Sequence, residues 1–311
     1  MKKILVSSYF SGCGGLDKLF MEDDAFSIQH FSEIDKHPSA VLKYHHPDTP
    51  NLGDISKINV EGLKETDVLL AGFPCTGVST QGKQEGKGNK KTKLVEFLYP
   101  IVKQTKPKFI ILENVKNLLS TQMKELYNEV KTEIEKQGYY CYTETKDSSE
   151  YGTSQQRIRV IMYFVRKDFK ASRKSYHDDG VKRNFKVKSF KRCLSKNNTY
   201  ISWSKSHRKE HLDFRIREDG LINTLTTGGG CVGASTGTIV MLPDGSTRYL
   251  TPEECEGLQT WDRNHTKYGL CDKGQRYEIP DGARYRMCGN GVPSNITIEH
   301  KEEIKYLMGL K

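Results

Sequence analysis

The stretch "KILVSSYFSGCGGLDKLFM", Lys3–Met21, decides the fold. Lys3–Ser7 is an apolar run of strand length, Tyr9–Asp17 is rich in glycine, and a helix is predicted over Leu16–Met21. A strand that turns into a helix through glycines leaves backbone N–H groups free to face a ligand at the helix start. The rival reading is the dinucleotide fingerprint G-x-G-x-x-G. Gly12 and Gly14 fit it, but Asp17 stands at the third glycine position and Gly14-Gly15 are adjacent, which argues against a nicotinamide or flavin site.

The same style continues to about residue 165. Further candidate strands are Ile28–Ser32, Val68–Ala71, Phe109–Leu112, Tyr139–Thr143 and Arg159–Val165. Candidate helices are Pro38–Tyr44, Val95–Gln104 and Met123–Gln137, the last with Leu126, Val130 and Ile134 on one face. Alternation of this kind predicts an α/β fold, a doubly wound and mostly parallel sheet that binds ligands beyond the carboxyl ends of its strands. Residues 82–93, "GKQEGKGNKKTK", read as a mobile loop. Beyond 166 the sequence is basic and irregular, with short strands. Asn223–Gly237 is a glycine-rich loop, Val240–Leu250 a hairpin turning on Pro243-Asp244-Gly245, and Thr251-Pro252-Glu253-Glu254 a helix start.

With 311 residues, 35% hydrophobic and 28% charged, the chain has room for one large domain and a small one. No apolar run approaches the ~18 residues of a membrane span. The start, Met1–Ser8, is too short in its apolar part for a signal peptide, so a cytoplasmic protein is expected. Eight cysteines without a C-x-x-C pair argue against zinc, and no metal is expected. The net charge of +10 lies wholly within 166–220, where 17 lysines and arginines face 7 acids. Aromatic residues Tyr176, Phe185, Phe190, Tyr200 and Trp203 are interleaved there. Such a segment is either a solvated basic surface or a contact for a polyanion such as nucleic acid.

Three carboxylates and a thiol fall at predicted strand ends. Glu33 lies 21 residues after Gly12, where a carboxylate can accept both hydroxyls of a ribose, and Asp54 follows where it could accept an adenine amino group. A nucleoside pocket with no evident phosphate partner suggests S-adenosylmethionine over a nucleotide. Cys75, in "AGFPCTGVSTQG", sits at the exit of an apolar strand behind a proline, and Glu113 ends the next strand. A thiolate and a carboxyl across one crevice suit attack on an electron-poor ring: the sulfur adds while the acid protonates a ring nitrogen. Gln155, Arg157 and Arg159 alternate at period 2, so they point one way, either as a basic edge strand or as guanidinium forks for a carbonyl or phosphate.

Six elements then fall in one order: Phe10–Gly15, Gly72-Phe73-Pro74-Cys75, Glu113-Asn114-Val115, Gln155–Arg159, Arg248–Gln259 and Gly289–Val292. In this the chain resembles the bacterial and phage DNA cytosine-C5 methyltransferases over nearly its whole length. The resemblance implies a Rossmann-like catalytic domain over 1–168, joined again by 284–311, and a small β-rich target-recognition domain over 169–283. It implies Cys75 as the nucleophile on cytosine C6, Glu113 on N3, Arg159 on O2, and Arg157 in support of the catalytic loop. S-adenosylmethionine would be lined by Phe10, Gly12, Gly14, Glu33, Ile34, Asp54, Ile55, Pro74, Leu94, Asn290 and Val292. Double-stranded DNA would be touched by Ser79, Gln81, Lys83, Gln155, Thr224 and Leu225, with the target base flipped out and loop 76–93 closing over it. The resemblance further implies a monomer in the bacterial cytoplasm, serving a restriction–modification or phage-protection role beside a cognate restriction enzyme. An RNA cytosine-C5 methyltransferase and a catalytically silent DNA-binding relative share the scaffold. Two departures stand out: Pro-Cys-Thr with Val78-Ser79 where Pro-Cys-Gln and Phe-Ser are common, and Gly291 where serine or alanine is usual.

Overall fold

The computed structural model describes residues 2–74, 92–178, 199–205, 212–216, 221–227 and 236–310. Strands β1 (Ile4–Tyr9), β2 (Phe26–His30), β3 (Val68–Ala71) and β4 (Phe109–Val115) run parallel, followed by β5 (Tyr139–Asp147) and β6 (Ile158–Arg166). The sheet order is β2-β1-β3-β4-β6-β5, and β6 is antiparallel to both of its neighbours. The mostly parallel, doubly wound sheet is therefore as expected.

The strand sequences show why both faces are covered. Val68-Leu69-Leu70-Ala71 is wholly buried. Val68 and Leu70 join the apolar cluster that holds Phe20, Ile296 and Ile304, while Leu69 and Ala71 join the one that holds Ile101, Val102, Val130 and Ile134. Successive side chains point to opposite faces, so a strand covered on both sides must be apolar throughout rather than alternating. Full burial of each such side chain stabilises by roughly 1.5–3 kcal/mol.

The helices of this part are α1 (Lys18–Met21), α2 (Lys36–His45), α3 (Leu98–Thr105), α4 (Lys124–Glu135) and α5 (Lys170–Asp178). All four expected helices are present, with shifted ends. The start expected at Val95 is a 3-10 turn, Thr92–Phe97, and α3 follows it. β2 begins and ends two residues before the expected strand, and the β1–β2 register shifts between Val6 and Ser7. β5 runs to Asp147 because nine residues pair along β6.

The later chain adds β7 (Thr199–Lys205), β8 (Leu212–Ile216), β9 (Thr236–Met241) and β10 (Thr247–Tyr249), an antiparallel sheet of order β10-β9-β7-β8. The expected hairpin is its β9–β10 pair, and Gly245 takes φ +83° in the turn. Helix α6 (Pro252–Leu258) starts on the expected capping box: Thr251 Oγ1 accepts from Glu254 N, and Glu254 Oε2 from Thr251 N at 2.8 Å. Then come β11 (Tyr268–Leu270), β12 (Arg276–Glu278), α7 (Asp281–Asn290) and α8 (Ile298–Leu307). α8 returns to the large sheet. α5 also packs there, with Arg173 paired to Glu303 at 2.9 Å and Tyr176 beside Tyr306, so the chain stays beside the large sheet some ten residues beyond 168. Among the described residues no helix is long and apolar enough to cross a membrane.

Candidate functional site

The carboxyl ends of β1, β2, β3 and β4 carry the site residues, on one edge of the parallel strands. Two groups form there.

The first is built on the β1–α1 loop. Phe10 takes φ +52°, unusual for a residue with a side chain, and Gly12 φ +55°. Backbone of this hand turns the Gly12 N–H onto Glu33 Oε2 at 2.8 Å, and Asp35 N donates to Glu33 Oε1 at 2.7 Å. Each oxygen keeps a lone pair for a further donor. Burial pushes the Glu33 carboxyl above its ordinary range, against these backbone donors. Next to it Ile34 is 71% exposed, an apolar side chain with open space before it. Ser32 donates to Gly53 O at 2.8 Å, which brings Asp54 alongside. Asp54 Oδ1 accepts from Ser56 N and Oγ, holding its carboxyl below the usual range, while Oδ2 has Lys57 only at 3.8 Å. A glycine loop, a carboxylate with spare acceptors, an exposed aliphatic side chain and a second carboxylate fit a ribose and an adenine ring. Ile55 is buried beneath, and Phe10 and Leu94 pack on the same core cluster. Pro74 is half-buried, Asn290 exposed, and Val292 buried with the opposite cluster.

The second group lies at the β3–β4–β6 ends. β3 and β4 are neighbours, Ala71 opposite Leu112, as the crevice reading required. Glu113 is buried and pairs with Arg159 Nε at 2.9 Å. Burial raises the Glu113 carboxyl above its ordinary range, with Arg159 and Arg157 pulling the other way. Burial favours the protonated form of a carboxyl so placed, which suits it to donate to a base nitrogen. A Cβ on Gly72 would touch Glu113 Oε2 at 3.5 Å, so the chain leaving β3 passes directly by the acid. Asn114 Nδ2 fastens that exit by donating to Phe73 O at 3.1 Å. Cys75, the residue after Pro74, lies outside the described residues, as do Ser79, Gln81 and Lys83 and the expected mobile loop up to 91.

Two expectations are corrected. Gln155, expected on DNA, is fully buried, and its amide is spent on Leu258 O at 2.9 Å and Leu225 N at 2.8 Å. Leu225, also expected on DNA, is buried in the third apolar cluster. Thr224 beside it bonds Gln156 O at 2.7 Å and remains partly exposed. Arg157, expected in support of the catalytic loop, donates from its guanidinium to the carbonyls of Leu225, Gly289 and Gly291 at 2.9, 2.8 and 2.6 Å. It is a positioning residue that ties β6 to the end of α7. The shared direction of Gln155, Arg157 and Arg159 held only in that all three point inward; just Arg159 reaches the acid.

Sequence reasoning missed Trp261 and His265. Trp261 is fully buried, and His265 Nε2 meets the Cys13 carbonyl at 2.8 Å. Both follow the Arg248–Gln259 element by a few residues, and nothing in their spacing points 250 residues back to the glycine loop.

Comparison with known proteins gives concordant matches. Residues 4–220 match the model of the C-5 cytosine-specific DNA methylase family. The chain is 32% identical over 160 residues to the Type II methyltransferase M.BsuFI of Bacillus subtilis, covering 51% of this chain and 39% of that protein. It is 26% identical over 312 residues to the Type II methyltransferase M.HhaI of Haemophilus parahaemolyticus, covering 92% of this chain and 90% of that one. Apart from that match, the chain spans less than half the length of such relatives, 48% for M.FnuDI of Fusobacterium nucleatum. Among solved structures, the Entamoeba histolytica methyltransferase EhMeth superposes with TM-score 0.67 at 16% identity, over 99% of both chains. A putative DNA modification methyltransferase from an Escherichia coli prophage gives 0.65 at 18%, over 99% of this chain and 100% of that one. These two likenesses concern the fold.

Proposed function

The chain belongs to the C-5 cytosine-specific DNA methylase family, and from that premise we propose that it is a sequence-specific DNA (cytosine-5-)-methyltransferase using S-adenosylmethionine. One observation carries the reading: a buried carboxyl, Glu113, raised above its ordinary range by burial, is paired to Arg159 beside the strand exit that leads into Pro74 and Cys75.

Cytosine in a duplex has C6 covered by stacking, so the base must leave the helix. With the base beside β4, Glu113 gives its proton to N3 and Arg159 holds O2. The ring then accepts the Cys75 thiolate at C6, the electron pair moving to C5. The bound cofactor supplies an electrophilic methyl group. C5 takes that methyl, loses its proton to a base, and the C6–sulfur bond breaks as N3 returns its proton to Glu113. Acid, thiol and cytosine ring system are restored, and 5-methylcytosine leaves.

The division into a catalytic unit, 1–168 with 284–311, and a recognition unit, 169–283, belongs to the same reading, with α5 docked on the former. Residues 166–220, net +10, would supply phosphate contacts, together with Thr224. The protein would work in the bacterial cytoplasm beside a cognate restriction enzyme.

The test is a duplex carrying 5-fluorocytosine at the methylated position. Fluorine cannot leave C5 as a proton does, so the enzyme stays bound to DNA through denaturing electrophoresis when S-adenosylmethionine is present. Cys75→Ser abolishes the adduct, because a hydroxyl is far less ionised than a thiol at neutral pH. An adduct mapping to another cysteine would overturn the assignment. Methylation of RNA but not of duplex DNA would move the substrate to RNA, and absence of methylation on either would leave a silent relative.

A further inference from the structure

Gly15, in the β1–α1 loop, and Gly291, at the end of α7, are glycines that their backbones do not require. Gly291 has φ −71°, open to any residue, and Gly15 is not among the positive-φ glycines. What they share is the Trp261 indole. A Cβ on Gly15 would lie 2.6 Å from Trp261 Cζ2, and a Cβ on Gly291 2.4 Å from Cη2 and 2.5 Å from Cζ2, with the Met287 carbonyl oxygen next at 2.8 Å. Real Cβ contacts do not come this close, and a buried indole cannot swing aside. Its Nε1 donates to Val292 O at 3.1 Å, which fixes the ring's orientation.

The segment holding Trp261 grips the glycine loop twice more. His265 is stacked on His45 with centroids 4.7 Å apart, and burial lowers its pKa to about 3. A neutral imidazole facing a carbonyl must donate from Nε2, so it hydrogen-bonds Cys13 O. Lys18 pairs with Asp262 at 2.6 Å. Thus the indole edge, the imidazole and the aspartate act on residues 13–18, while the same indole is seated against 291–292.

We propose that Trp261 is a positioning residue of the cofactor site: its indole is the spacer that sets the separation of the glycine loop from the Gly289–Val292 segment, and Gly15 and Gly291 are small to admit it. This rests on the reading of those two segments as walls of the S-adenosylmethionine site.

The experiment is a double-mutant cycle read by calorimetry of S-adenosylmethionine and S-adenosylhomocysteine binding to the full chain, with melting of the cofactor-free protein alongside. Gly291→Ala forces a methyl into the indole edge and should weaken both ligands tenfold or more. Trp261→Phe lacks the outer indole atoms and should weaken them less. In Trp261→Phe/Gly291→Ala the indole clash is gone and only the Met287 carbonyl oxygen, 2.8 Å from the added Cβ, has still to shift, so the loss caused by Gly291→Ala should be at least about threefold smaller than it is beside Trp261. Losses that multiply in the double variant, or Gly291→Ala binding as wild type, would overturn the proposal. A lower melting temperature with unchanged affinity would also overturn it, by making the contact structural only. If Gly291→Ala does not fold, folding and binding by the double variant still support the pairing, and its failure to fold sinks it. Wild-type protein that binds neither ligand would instead refute the cofactor reading.

Discussion

The cofactor side of the site is held largely by main chain and by contacts from afar: Gly12 N on Glu33, Ser32 on Gly53 O, His265 on Cys13 O, and Trp261 against Gly15. The base side hangs on one buried ion pair, Glu113 with Arg159, and one amide, Asn114 on Phe73 O. Many supports make the first side tolerant of losing any one. The second has a single pair in low dielectric, where removing a partner leaves the other buried and uncompensated. The difference suits the tasks. A pocket for a constant ligand gains from rigidity, whereas an acid that must hold and release a proton needs a pKa balanced between burial and nearby cations.

Glu113→Gln breaks the base side most directly. The amide still accepts from Arg159 Nε but cannot give a proton to N3, so methyl transfer should slow by about 10²–10⁴-fold. Affinity for S-adenosylmethionine should not change. Single-turnover kinetics with calorimetry on the same variant checks both, and a large loss of cofactor affinity would mean that the two sides are not separate.

The cofactor side has its own buried carboxyl. Burial pushes the Asp17 carboxyl up to a pKa of about 7, against weaker hydrogen bonding from Ser8 and the backbone. Between pH ~4 and ~7 the folded chain holds a proton that the unfolded chain, near the ordinary Asp value, has lost. Folding stability from this group therefore falls as pH rises through that window and stays reduced above it. Asp17→Asn keeps a neutral side chain and removes the slope. It should match wild type near pH 4 and exceed it at pH 8 by at most about 4 kcal/mol. Urea midpoints of the two proteins across pH 4–8 provide the measurement. Other groups titrate in the same window, so the difference between the proteins, not either curve, is diagnostic. A constant difference would show that Asp17 is already partnered.

Glu33→Ala removes an acceptor from the Gly12 and Asp35 N–H groups as well as from a ribose. The lost hydrogen bonds to a charged acceptor should weaken cofactor binding by roughly 1.5–3 kcal/mol, with the loop still braced by Trp261 and His265. Unchanged calorimetric affinity would take Glu33 out of the pocket.

How far the site was legible follows the same division. Glu33, Asp54 and Glu113 were singled out because a parallel sheet presents its ligand-facing residues at strand ends, and strand ends can be read from short apolar runs. Cys75 was singled out for the same reason. The inward turn of Gln155 and Leu225 was not, since their partners, Leu258 and Arg157, are distant or belong to a different element. Period-2 spacing gives a shared face but not whether that face meets water or another segment. Gly291, unexpected where serine or alanine is usual, became intelligible only with the Trp261 ring beside it. Element types and order were recoverable from local pattern; the bracing of one loop by another depends on contacts that no local pattern encodes.

The smallest effect tests whether that bracing depends on how α6 begins. Thr251 caps the helix that leads into Trp261, and Arg248 holds the same Glu254 through two hydrogen bonds, at 2.7 and 2.8 Å. Farther along, Glu256 is fully buried and accepts from Asn264 N at 2.7 Å, Thr266 N at 2.9 Å and Arg284 at 3.1 Å. The turn that carries Trp261 is thus anchored at Glu256, on the far side of the cap. Thr251→Ala loses the acceptor for Glu254 N and should lower stability by about 1 kcal/mol. Cofactor affinity should stay at the wild-type value, because the Glu256 anchor survives. A shifted urea midpoint with unchanged calorimetry is the expected pair of results. A parallel loss of affinity would place the origin of the bracing at the helix cap rather than at the buried glutamate.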